Sequence, residues 1–236
     1  MSLIKVKSDS KCLLIAGFLV SNLFLIGCTK NINSNSFDVC KTISSPCLRE
    51  NLNVELYTTK GRIVFELYGE SAPVTVGNFI DLINRGVYNK TTFHRVIKEP
   101  FPFVIQGGDS KSKNPNLNTN EIGLGNFIDP ENNLVRYIPL EIKLINEGKP
   151  RYGKLIKDPK MISNLELRHQ KGSISMSRSQ PLNSASSQFF ISLKSLPILD
   201  GRYAVFGKLV KGMNVLDLIE EGDSITKVII SLKEDN

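Results

Sequence analysis

Phe93-His94-Arg95-Val96-Ile97, followed by Phe103-Val104-Ile105-Gln106-Gly107-Gly108-Asp109, is the stretch on which the reading of this chain turns. Phe103–Gln106 reads as a strand, and the His-Arg pair follows a strand-like turn. Working outward, strand signals continue on both sides. Val54–Thr58 and Ile63–Leu67 are rich in apolar, β-branched and aromatic residues, and Thr59-Lys60-Gly61 between them suits a hairpin turn. Further strands are expected at Ser173–Ser177, Gln188–Leu193, Ala204–Leu209 and Ile225–Leu232. Two helices stand out. One follows Ser71-Ala72-Pro73, carries Val76, Phe79, Ile80, Ile83 and Val87 at helical spacing, and stops at Gly86. The other runs from Asn214 to Glu221 and ends at Gly222. Residues 110–168 hold many Asn, Lys and Pro with short apolar runs, and read as a loop insertion. The body, residues 51–236, is therefore expected to be one mostly antiparallel β domain with two helices, closed or nearly so to hide its edges.

Composition narrows the chemistry. With 236 residues, 41% hydrophobic and 22% charged, the chain is an ordinary globular protein rather than a disordered one. The net charge of +7 is scattered, without a basic stripe interleaved with aromatics, so no nucleic-acid partner is expected. Four cysteines, Cys12, Cys28, Cys40 and Cys47, all lie near the N-terminus, and none follows. A thiol or zinc site in the body is excluded. His94 and His169 stand far apart in unlike contexts, so no metal is expected.

The N-terminus reads as an address. Lys5, Lys7 and Lys11 precede an uncharged run, Cys12–Ile26, too short for a spanning helix but suited to a secretory signal. The run ends Leu25-Ile26-Gly27-Cys28, which resembles the bacterial lipobox. That resemblance implies removal of residues 1–27, lipidation at Cys28, and an extracytoplasmic domain anchored to a bacterial membrane. Residues 28–50 read as a flexible tether rich in Asn, Ser and Thr. Within it, Cys40 and Cys47 could pair in an oxidising compartment, or remain free thiols.

Two more segments complete the pattern: Gly172-Ser173-Ile174-Ser175-Met176-Ser177-Arg178 leading to Ser186-Ser187-Gln188-Phe189-Phe190-Ile191, and Leu199-Asp200-Gly201-Arg202-Tyr203-Ala204-Val205-Phe206-Gly207. Taken alone, these residues supply arginine, glutamine, phenylalanine and leucine but no nucleophile paired with a base. Triad hydrolysis is poorly supported. An apolar pocket with a cation and a few amides suits a neutral peptide.

In order and spacing the segments resemble the cyclophilins, a family of peptidyl-prolyl cis–trans isomerases, over roughly Val54 to Lys233. The resemblance implies a closed eight-stranded antiparallel β-barrel capped by two α-helices, with no cofactor and proline-containing polypeptides as partners. It puts Arg95, Gln106 and Phe103 in the catalytic set. Phe103, Val104, Phe190 and Leu199 would form the apolar floor, with His94, Ser177, Arg178, Gln188 and Tyr203 lining the groove. Between Arg95 and Gln106 the chain is longer than the common pattern, so Phe103 rather than Phe101 is chosen by its spacing to Gln106. The implied function is assistance to the folding of extracytoplasmic proteins. A non-catalytic, membrane-tethered peptide-binding module on the same fold is the alternative. Monomer is the default state.

Overall fold

The structure is a computed structural model, and it describes residues 39–41 and 45–231. The expected leader, Cys28 and most of the tether lie outside the described residues. Thirteen strands are described: β1 Asn51–Thr58, β2 Gly61–Tyr68, β3 Thr91–Thr92, β4 Arg95–Val96, β5 Val104–Gly107, β6 Ile128–Asp129, β7 Leu134–Val135, β8 Glu141–Ile142, β9 Arg151–Tyr152, β10 Ser173–Met176, β11 Phe189–Ser192, β12 Val205–Lys211 and β13 Ser224–Ser231. The α-helices are α1 Pro73–Asn84, α2 Pro159–Ser163 and α3 Met213–Leu218. Among the described residues no helix is long and apolar enough to cross a membrane.

Nine strands form one antiparallel sheet in the order β3-β13-β1-β2-β12-β10-β11-β5-β4. Register shifts at Tyr57/Thr58, Ile174/Ser175 and Leu209/Lys211 help to curl it, because each bulge adds local twist. The expectation of a closed eight-stranded barrel is corrected here: the sheet is a curled half-barrel of nine strands. Its outermost strands, β3 and β4, do not pair with each other. They are consecutive in the chain, separated by Phe93 and His94, and each ladders to a different neighbour, β3 to β13 and β4 to β5. The gap is spanned by covalent chain instead of a ladder.

Strand alternation assigns the two faces of the sheet. Ile105 on β5, Phe189 and Ile191 on β11, and Ile174 and Met176 on β10 turn inward to the main core. There α1 lays Phe79 against Tyr88, Phe189 and Phe206, with ring centroids 4.8, 5.6 and 5.1 Å apart. The intervening residues, Val104 and Gln106 on β5 and Phe190 on β11, face outward and build the site.

Residues 110–168 are more organised than a loop insertion. Leu140, Ile142, Leu144, Ile156 and Leu165 form a second buried cluster with Ala204. The short helix α2, a third helix where two were expected, sits here and is capped by the Asp158 carboxylate accepting from Lys160 N–H at 2.9 Å. The insertion is joined to the body by buried charge. Glu141 reaches the N-terminus of α1, whose own capping position is Ala72, and accepts from Val74 and Thr75 N–H at 3.1 and 2.8 Å and from Thr75 Oγ1 at 2.7 Å. Burial pushes the Glu141 carboxyl up, and these hydrogen bonds oppose it. Arg136, buried over the Phe127 ring, bridges Asp129 at 2.6 Å and Asp81 of α1 at 2.5 Å.

At the other end, residues 45–50 lie against the domain. Leu48 N–H donates to the Pro73 carbonyl at 2.9 Å, and Cys40 and Cys47 are joined in a disulfide whose residues pack on the main core. The contact is tight enough to require glycine. A Cβ on Gly77 would stand 2.2 Å from the Pro46 carbonyl oxygen, and one on Gly69 2.3 Å from that of Glu50.

Candidate active site

A single cross-strand row organises the site. Arg95 on β4 is opposite Gln106 on β5, Gln106 is opposite Phe190 on β11, and Phe190 is opposite Ser175 on β10. Register alone therefore sets a cation, an amide and an aromatic ring side by side on the outer face of the sheet.

To one side of the row lies an apolar well. Val104, Phe190 and Leu196 are buried in it, and Phe103, Leu199 and Tyr203 pack on them half-buried. The edge of Tyr203 meets Phe190 at 5.5 Å between centroids, nearly perpendicular. Phe101, the rival candidate for the well, is 70% exposed, and Lys194 lies over its ring.

To the other side is a polar groove lined by Arg95, Gln106, Ser177, Arg178, Gln188 and Tyr203. A chain of hydrogen bonds fixes it. Arg95 Nη1 makes a long contact to Gln106 Oε1, 3.4 Å. The Gln106 amide donates to Ser177 Oγ at 3.1 Å and to Gln188 Oε1 at 3.0 Å. Gln188 Nε2 in turn donates to the Gly123 and Gly125 carbonyls at 3.0 and 2.8 Å. Arg178 lies over the Tyr203 ring at 4.8 Å and gives Nε and Nη2 to the Arg202 carbonyl. Tyr203 thus belongs to both the well and the groove.

The structure brings together Arg95, Phe103, Val104, Gln106, Ser177, Arg178, Gln188, Phe190, Leu199 and Tyr203. His94 does not line the groove. Its ring packs beneath Gly123, where a Cβ would lie 3.3 Å from His94 Cδ2, and both ring nitrogens are buried without a hydrogen-bond partner among the described residues. Burial holds its pKa below the usual histidine value; Asp109, the Thr92 backbone and Glu221 oppose the shift and Arg95 adds to it. Folded His94 therefore resists the proton that the unfolded chain accepts near about pH 6.5. Stability is expected to fall as pH drops below that value, until the lowered folded pKa is passed. Urea unfolding at a series of pH values, compared with His94→Leu, checks this: the wild-type midpoint should fall more steeply between neutral and mildly acidic pH.

Several residues escaped the sequence reading. Asn126, Ser184 and Ser186 add polar groups to the groove. Asp109, fully buried, accepts from Gly123 N–H at 2.6 Å, Gly125 N–H at 3.0 Å and Lys111 N–H at 2.8 Å. It holds the loop whose carbonyls anchor Gln188. A Cβ on Gly125 would stand 2.0 Å from Asp109 Oδ1, so that position needs glycine. Among the described residues, no group of three or more His, Cys, Asp or Glu side chains could hold a metal ion.

Comparison with known proteins bears on what this arrangement does. The family model described as cyclophilin type peptidyl-prolyl cis-trans isomerase/CLD matches residues 53–233. A peptidyl-prolyl cis-trans isomerase of Schizosaccharomyces pombe is 37% identical over 69% of this chain and 81% of its own length. Peptidyl-prolyl cis-trans isomerase A of Dickeya dadantii is 36% identical over 72% of this chain and 71% of its own. A Synechocystis protein named as a thylakoid lumen peptidyl-prolyl cis-trans isomerase is 36% identical over 81% of this chain, which spans half of that relative's length. Among solved structures, a cyclophilin type isomerase of Cryptosporidium parvum superposes with a TM-score of 0.59 at 27% identity, covering 78% of this chain and all of that one. The same protein was also solved in the presence of the dipeptide Ala-Pro, with a TM-score of 0.54 at 29% identity, covering 78% of this chain and 99% of that one.

Proposed function

The chain belongs to the cyclophilin-type peptidyl-prolyl cis-trans isomerases and accelerates rotation about Xaa-Pro bonds; from that premise we propose how its own residues do so and where it works. Rotation about a peptide bond faces a barrier of about 18–20 kcal/mol, because resonance gives C–N partial double-bond character. No bond to a side chain is needed. The enzyme has to favour the twisted amide over both planar forms. In the twisted state the prolyl nitrogen regains its lone pair and accepts a hydrogen bond.

Arg95 supplies that bond. Its guanidinium is a rigid, permanently charged donor, and the ladder sets it opposite Gln106, beside the well that takes the proline ring. Phe103, Val104, Phe190 and Leu199 hold the ring while the preceding carbonyl turns. Gln106, fixed by Ser177 and Gln188, steadies Arg95 and meets the substrate backbone. The juxtaposition of Arg95 with the apolar well carries this assignment. The test is exchange of a short Xaa-Pro peptide with the full chain and its Arg95→Ala variant. A binding module that does not catalyse would keep its peptide affinity and show no rate for the variant to lose.

The clients proposed are proline-containing segments of extracytoplasmic proteins, met by a domain lipidated at Cys28 on a bacterial membrane. The Lys-flanked apolar run ending Leu25-Ile26-Gly27-Cys28 supports this, as do the Cys40–Cys47 disulfide, which suits an oxidising compartment, and the Synechocystis relative's name. Fractionation of cells expressing the full chain tests the anchor. Wild type should sediment with membranes and label with a lipid precursor, and Cys28→Ser should lose the label. An unlabelled wild type would remove the anchor from the proposal.

A further inference from the structure

His169 is a buried ionisable group, 1% exposed, with no part in the chemistry above. Its contacts converge on the proline well from behind. Its backbone carbonyl accepts from Leu196 N–H at 2.8 Å. Its backbone N–H donates to Asp200 Oδ1 at 2.9 Å, and its ring Nδ1 meets the same oxygen at 2.8 Å. A carboxylate only accepts, so Nδ1 carries the hydrogen. The Asp200 carboxylate is itself buried, and its backbone N–H donates to the Pro197 carbonyl. One residue therefore ties down both ends of the turn Leu196–Asp200, within which Leu199 enters the well. The imidazole also lies parallel to Phe190, with centroids 5.8 Å apart at 6°, and edge-on to Tyr203 at 6.5 Å.

Packing alone does not ask for this pair. A buried carboxylate–imidazole pair carries a desolvation cost, and an apolar pair of the same shape is often as stable. What the polar pair adds is direction: one carboxylate oxygen sets the ring plane and holds the Asp200 end of the turn, while the His169 carbonyl holds the Leu196 end. We propose that His169, oriented by Asp200, is a positioning residue that sets the shape of the proline well, acting through Leu199, Phe190 and Tyr203. The proposal rests on the reading of that well as the proline site.

The experiment uses the full chain and a short Ala-Pro-containing peptide. Both the peptide Kd, by titration, and the separate kcat and KM are measured for wild type, His169→Phe, Asp200→Leu, Leu199→Ala and the His169→Phe/Leu199→Ala double variant, with thermal unfolding of each to correct for folded fraction. His169→Phe keeps a flat ring against Phe190 and the backbone bond to Asp200, and removes only the ring Nδ1 bond. Kd and KM should rise about tenfold with kcat changed less than about threefold, the pattern of lost uniform binding. The double variant should lose less than the product of the two single losses, because His169 acts through Leu199. Unchanged Kd and KM, a multiplicative double variant, or losses that vanish after correction for folded fraction would each overturn the proposal. If His169→Phe does not fold, Asp200→Leu, which removes the acceptor both His169 donors share, gives the same readings alone and paired with Leu199→Ala. A wild type that binds peptide without catalysing exchange would sink the catalytic reading, and the Kd comparison would still decide the positioning role.

Discussion

Arg95→Ala lowers kcat/KM for a short Xaa-Pro peptide by about 10²–10³-fold, or roughly 3–4 kcal/mol of transition-state stabilisation, the range for loss of one preorganised donor. The loss falls on kcat. In either planar ground state the prolyl nitrogen's lone pair is delocalised and accepts no bond, so the guanidinium has little to hold until the amide twists. Peptide affinity, carried by the well of Phe103, Val104, Phe190 and Leu199, should stay within about threefold, as for an interaction made only in the transition state. Arg95→Lys is not a rescue. Lysine keeps the charge, but its single ammonium lacks the planar fork that meets Gln106 with one nitrogen and substrate with another. Steady-state kinetics beside peptide titration checks both statements. An Arg95→Ala enzyme that loses affinity and rate in equal measure would assign Arg95 to binding instead.

Asp109→Ala is the largest expected effect on stability, about 3–5 kcal/mol, the cost of removing one partner from a buried, charge-assisted cluster. The carboxylate receives three backbone N–H groups, and alanine leaves that of Gly125 buried and those of Lys111 and Gly123 part-buried without it. Asp109→Asn is expected to rescue only part of this. Oδ1 serves Lys111 while Oδ2 serves Gly123 and Gly125, so whichever way an amide turns, its NH2 confronts a donor. Activity should fall as well, because the Gly123 and Gly125 carbonyls hold Gln188, which holds Gln106. Urea unfolding together with hydrogen exchange at the Gly123 and Gly125 amides checks this. A variant within about 1 kcal/mol of wild type would show that the loop rests on other contacts, since a buried unmet donor costs at least that much.

What was legible in the sequence follows element length. β1 and β2, eight residues each around a tight turn, and α1, opened by Pro73 and ended near Gly86, carry enough period to be read. β3 and β4 have two residues each and no period to show, so nothing local in the sequence could correct the closed barrel that the family resemblance implies. The second core had a readable signal: Leu140, Ile142 and Leu144 alternate, but the polar residues around them masked it. Arg95, Gln106, Gln188 and Phe190, which the structure brings together, each stand in a dense local motif that the sequence shows. His94 stands in the same motif, yet its ring went under Gly123. Asp109, Glu141 and the His169–Asp200 pair were missed as functional or structural groups. Apart from the Asp109–Lys111 turn, their partners are distant in sequence, so little that is local announces the bonds, and a single buried acid reads like any surface acid until its donors are known.

The seat of residues 45–50 on Gly69 and Gly77 has a mechanical consequence. A load applied from the N-terminal side reaches the domain at Cys40, crosses the disulfide to Cys47, and passes through the Leu48–Pro73 hydrogen bond and the Pro46–Gly77 contact into α1 and the main core. The groove and well stand on the outward face of β4, β5 and β11, off that line of force. Such a load would leave the cleft in register, so that a peptide held in it meets a fixed surface.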